Sequence, residues 1–159
     1  MNGSTKIIAK GFTMIEIIAV LMLLGIIAAV VAVRGFSTDA YSLNGTTESI
    51  KTHIRLAQTR AMSTNAVWGI HFDSSKSYYM FKNGSVANRV VLPGQDADSA
   101  TFAANGPSVT SGVIVSFDKF GRPYTDAAAT ALQGVNRTIT VSYGGSEDIT
   151  ITKNTGFIP

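Results

Sequence analysis

The chain has 159 residues, of which 45% are hydrophobic and only 14% charged, and it contains no cysteine. That length fits one compact domain with an N-terminal appendage, and the missing thiols exclude a disulfide framework and a thiolate metal site. His53 and His71 are the only histidines, too few for a histidine-rich metal centre. The formal charge of +3 rests partly on Lys6 and Lys10, so it carries no bulk argument for nucleic acid.

Residues 1–11, MNGSTKIIAKG, are short and basic and end in glycine. From Phe12 the chain turns apolar, and residues 17–33 carry no charged or strongly polar side chain before Arg34 closes the run. A bilayer core is crossed by about 20 apolar residues. Residues 12–34 are therefore expected to form a transmembrane or assembly helix. Lys6 and Lys10 lie ahead of it, which predicts a cytoplasmic N-terminus and an exported C-terminal part. The single interruption is Glu16. An ionised carboxylate in such a helix costs about 2.5–3.5 kcal/mol on insertion scales, so a plain anchor would gain from leucine there. Glu16 implies a partner, and a freed α-amine on Phe12 would supply one, four residues away in one helix or on an adjacent subunit. The other reading of Glu16 is an acid placed at a helix N-terminus by the macrodipole.

Residues 35–66 read as an amphipathic helix. Leu43, Ile50 and Ala57 recur every seven residues, with Ile54 and Ala61 beside them. Gly35 and Asn44-Gly45 are its weak points, and His53 sits among polar helix residues. From residue 67 to 159 the pattern changes to period two, and an antiparallel β domain is expected. Trp68, Ile70 and Phe72 alternate with Gly69 and His71, which places His71 on the solvent side. Residues 78–82 and 86–92 flank Asn83-Gly84, a strong two-residue turn signal. Residues 93–112 look like a long loop with a short strand near Phe102. Val113, Val115 and Phe117 mark the next strand, Gly121 and Pro123 a turn. Ile139, Val141 and Tyr143, then Gly144-Gly145, then Ile149 and Ile151 make a C-terminal hairpin. The fold class is α+β: a long N-terminal transmembrane or filament helix, then an antiparallel sheet or β-sandwich.

The stretch Lys10-Gly-Phe-Thr-Met-Ile-Glu-Ile-Ile-Ala-Val-Leu-Met-Leu-Leu-Gly resembles the N-terminus of type IV pilins and pseudopilins. The resemblance implies a leader over residues 1–11, cut by a prepilin peptidase between Gly11 and Phe12, and N-methylation of Phe12. It implies filament assembly through Glu16 and helix packing or local melting at Gly25. The implied setting is the inner membrane and then a filament. The implied partners are the peptidase, other pilins or pseudopilins, an inner-membrane assembly platform and membrane lipid. Many type IV pilins have a kinking proline at the position of Val33, so a kink at Val33–Gly35 is not implied here.

Ile54-Arg-Leu-Ala-Gln-Thr-Arg-Ala, Phe117-Asp-Lys-Phe-Gly-Arg-Pro and the hairpin ending near Gly156 look like H-type minor pseudopilins of type II secretion and FimT-type minor pilins. That likeness implies a helix on a β-sandwich and a structural subunit, with no enzymatic activity and no cofactor. An alternative is a DNA receptor for uptake, for which Arg89, Lys119, Arg122, Arg137 and Lys153 would have to converge on one face. Scattered solvated charges are the competing reading. A third function class is a secreted β domain with a general signal peptide cut near Ala32. Against it, the apolar run exceeds the usual ~7–15 residues, and Glu16 would serve no purpose.

Overall fold

The computed structural model describes residues 12–33 and 38–159, with side chains for 12–29 and 42–159. The leader expected over residues 1–11, including Gly11, and the kink weighed at Val33–Gly35 fall on or run into residues outside that description. The chain divides into two compact units between Ser37 and Thr38.

The first unit contains helix α1 (Met14–Val33), whose Leu, Met, Ala and Ile residues include no proline. Thr13 precedes its first turn and accepts the Glu16 N–H on Oγ1 at 3.3 Å. The large apolar side chains from Phe12 to Ile27 are between 46% and 85% exposed. The helix is therefore apolar on every side rather than along one stripe. Among the described residues no helix is long and apolar enough to cross a membrane. The span expected from the sequence runs on into residues whose side chains are not described.

The second unit opens with α2 (Thr38–Thr64). Asn65, at φ 53°, ends it in the left-handed conformation common after a helix C-terminus. Nine strands follow: β1 (Trp68–Ser74), β2 (Ser77–Lys82), β3 (Ser85–Val90), β4 (Ala100–Thr101), β5 (Ser108–Val109), β6 (Val113–Phe117), β7 (Pro123–Tyr124), β8 (Arg137–Ser142) and β9 (Ser146–Ile151). One sheet has the order β3-β2-β1-β6-β7, with β4 also paired to β2, and the other has the order β5-β8-β9. All the pairings are antiparallel. Asn83 and Gly84 both have positive φ, 58° and 68°, which is the primed two-residue turn the dipeptide predicts between β2 and β3.

Helix α2 packs on β1 and β6 of the large sheet and on β8 and β9 of the small one. Leu43, Ile50, Ile54, Ala57 and Ala61 are all buried. Thr47 fills the remaining step of that stripe and is also buried. Opposite lie Ile70, Phe72, Met80, Val115 and Phe117, and from the small sheet Val109, Ile139, Val141, Ile149 and Ile151. Full burial of each large aliphatic side chain contributes about 1.5–3 kcal/mol. This one core explains why period-3.6 and period-2 segments coexist in the unit.

His53 differs from its expected place among polar residues, because it is buried. It lies one position before Ile54, at the edge of the apolar stripe, where Pro93 and Tyr78 cover it. Its Nδ1 is 2.9 Å from the Tyr78 hydroxyl.

Candidate functional site

Two regions carry the chemistry singled out in the sequence. The first is the start of α1. Phe12 is exposed and Glu16 lies in the first turn of the helix. Thr13 and Glu16 have the Thr-x-x-Glu spacing of a capping box, and the Thr13 half of it is formed. Thr13 was not among the residues singled out, although that spacing was readable. Gly25, in the middle of α1, has nothing within 4 Å of where a Cβ would stand. The helix surface at Gly25 is thus open.

The second region is a pair of loops at the C-terminal end of α2. Residues 118–122 form a turn organised by one carboxylate. Asp118 accepts the Phe120 and Arg122 backbone N–H groups, each at 2.9 Å, and the Arg122 Nε–H at 2.8 Å. Arg122 Nη2 lies 2.6 Å from the same carboxylate, and the Tyr124 hydroxyl donates to it at 3.2 Å. Burial pushes the Asp118 carboxyl up, but the hydrogen bonds from Arg122 and Phe120 and the Arg122 charge hold it below the ordinary range. Gly121 sits at φ 77° in this turn, with Met62 Sδ 3.0 Å from where its Cβ would be.

Gln58, on α2, ties this turn to a second one. Its Nε2 donates to the Gly121 carbonyl at 2.9 Å and to the Thr155 carbonyl at 2.8 Å. The second turn is closed by Gly156 N–H donating to Thr152 and Thr152 N–H donating to Phe157, both at 2.9 Å. Arg55 Nη2 donates to the Ile158 carbonyl at 3.1 Å just beyond it. Sequence reasoning passed over Gln58, since the three segments it links are far apart in the chain.

The five cations considered for DNA fall into separate places. Lys119, Arg122 and Lys153 belong to the two turns that Gln58 joins. Arg89 is on β3, at the opposite edge of the large sheet from β7, with β2, β1 and β6 between. Its guanidinium stacks 3.9 Å above the Tyr79 ring. Tyr79 in turn contacts His71, whose Nδ1 is 2.7 Å from the Tyr79 hydroxyl. Arg137 is half-buried and donates from Nη1 to the Ile114 carbonyl at 2.7 Å.

A cleft of about 590 Å³ runs beside α2, with Ser42, Gly45, Thr46 and Ser49 on one wall and Pro93–Gln95 on the other. His53 and Tyr78 lie at its base. Burial pushes the His53 imidazole below its ordinary range, against a raising hydrogen bond to the Pro93 carbonyl. Burial pushes the Tyr78 hydroxyl up to about 12.

The fold is shared with a type IV minor pilin. A crystal structure of FimU from Pseudomonas aeruginosa matches with a TM-score of 0.51 at 16% identity, covering 77% of this chain and 90% of that one. A second crystal form of FimU gives a TM-score of 0.49 at 14% identity, covering 74% and 90%. At such identity the likeness is one of fold. No family model matches the sequence, and no curated protein does.

Proposed function

We propose that the chain is a structural subunit of a type IV pilus or type II secretion pseudopilus, in the class of minor pilins and minor pseudopilins. The observation that carries this reading is α1 itself. Apolar side chains project from all around it, and the only charge among them is Glu16. Water is a poor solvent for such a helix, and only lipid or other apolar helices will cover it. The α+β fold shared with a minor pilin supports the same reading.

In this account the leader is removed after Gly11, and the new Phe12 terminus is methylated. An α-amine has a reference pKa of about 7.7–8.0 and is substantially charged at neutral pH. Glu16 of one subunit meets the Phe12 amine of its neighbour. In an apolar bundle a mismatched register leaves both charges uncompensated, so the pair selects one axial position. The membrane holds the subunit before assembly, and the C-terminal unit is carried on the far side. Catalysis plays no part.

The test is a Glu16→Ala variant of the full chain, followed by separation of membranes from sheared filaments. The variant is expected to remain at its normal level in membranes and to fall at least tenfold in filaments. Equal incorporation of variant and parent would defeat the assembly role.

A further inference from the structure

Phe120 and Phe157, on the two turns that Gln58 joins, are 67% and 62% exposed, and Met62 beside Gly121 is 48% exposed. Single exposed apolar side chains are ordinary, but these three sit on adjacent segments held by named bonds. The Asp118 carboxylate fixes the turn that presents Phe120, and the Gln58 amide anchors both turns to α2. An aromatic side chain so fixed loses little further freedom when it is buried.

Two lysines, free of ion pairs among the described residues, and one Arg–Asp ion pair border these side chains. Lys119 Nζ and Arg122 Cζ each lie 5.2 Å from the centre of the Phe120 ring. Lys153 is exposed on the second turn. The only acid in residues 118–122 and 152–158 is Asp118, whose side chain is 13% exposed and occupied by inward bonds. The surface therefore offers exposed aromatic side chains, the residue type enriched at interface hot spots, on turns that also carry these two lysines.

We propose that this surface docks a neighbouring filament subunit through an apolar pocket rimmed by carboxylates, with Phe120 and Phe157 as the anchors and Lys119 and Lys153 as the rim contacts. The proposal rests on the filament reading above and names the surface of the C-terminal unit that it uses. Nucleic acid is the poorer fit. Arg122 is already held by Asp118, which leaves two lysines where phosphate recognition draws on many contacts.

The experiment is photocrosslinking of the full chain in the cells that make it, with p-benzoylphenylalanine placed at Phe120, at Phe157 and, as a control, at Val91. Val91 is exposed beyond β3, at the far edge of the large sheet. The expected result is one filament protein crosslinked from positions 120 and 157 and not from 91, at a peptide where apolar residues adjoin Asp or Glu. Lys119→Glu and, separately, Lys153→Glu should each cut that yield at least fivefold while the melting temperature stays unchanged. Crosslinks to lipid or nucleic acid, or yields indifferent to both charge reversals, would overturn the proposal. So would a chain that enters filaments and gives no crosslink, and the filament reading would then stand alone. A chain absent from filaments but crosslinked to a carboxylate-rimmed pocket on another protein would keep the docking chemistry and remove the filament reading.

Discussion

Gly69 is needed for space. A Cβ there would stand 2.5 Å from both the Phe81 Cζ atom and the Val115 carbonyl oxygen. The ring could turn aside, but a carbonyl in a sheet ladder cannot follow without breaking its register. Gly69→Ala is expected to cost about 1–3 kcal/mol by overpacking, read as a lower urea midpoint of the unit Thr38–Pro159. His53 gives a pH dependence of definite sign. Its folded pKa lies below the reference value, so the unfolded chain takes up the proton first. The stabilisation from the neutral imidazole is complete above about pH 6.5 and is lost as pH falls toward the folded value. Unfolding midpoints measured from pH 8 to pH 5 should decline for the parent and decline less for His53→Gln. A midpoint that rises on acidification would contradict the buried, neutral ring.

Among the elements, α2 shows most directly how pattern becomes structure. Its stripe advances by alternate steps of four and three from Leu43 to Ala61, and every member is buried. The Thr47 hydroxyl on that stripe has no hydrogen-bond partner among the described residues. An unmet buried hydroxyl costs about 1–3 kcal/mol, so Thr47→Val should raise stability, whereas Ile54→Ala should lower it by about 2–5 kcal/mol through a cavity. Paired denaturation curves test both signs. The apolar members of the stripe were legible because period 3.6 is written in residue type. Thr47 and His53 were not, since a polar name at an edge position does not reveal which loop will cover it. Strands fared likewise. Asn83-Gly84 and the Gly144-Gly145 hairpin announced themselves by turn chemistry, and Val113, Val115 and Phe117 by alternation. The Gln58 tie was invisible, because it joins segments with no local pattern in common. In α1, Glu16 was conspicuous as a lone acid, while Thr13 was overlooked beside it.

For the whole molecule, two units with opposite solvent demands share one chain. The C-terminal unit buries most of its apolar side chains against its own sheets, with Val135, Phe120 and Phe157 as its most exposed large ones. In the N-terminal unit the described large apolar side chains, from Phe12 to Ile27, are uncovered. The proposed filament would reconcile them, burying α1 among like helices while the C-terminal units meet at their surfaces. The account depends most on the creation of a charged terminus at Phe12, without which Glu16 has no answering amine. The direct measurement is the intact mass of the native protein extracted from cell membranes. The account predicts a chain from Phe12 to Pro159 carrying one added methyl group on its terminal nitrogen. A mass that retains residues 1–11, or one that begins near Ala32, would contradict it.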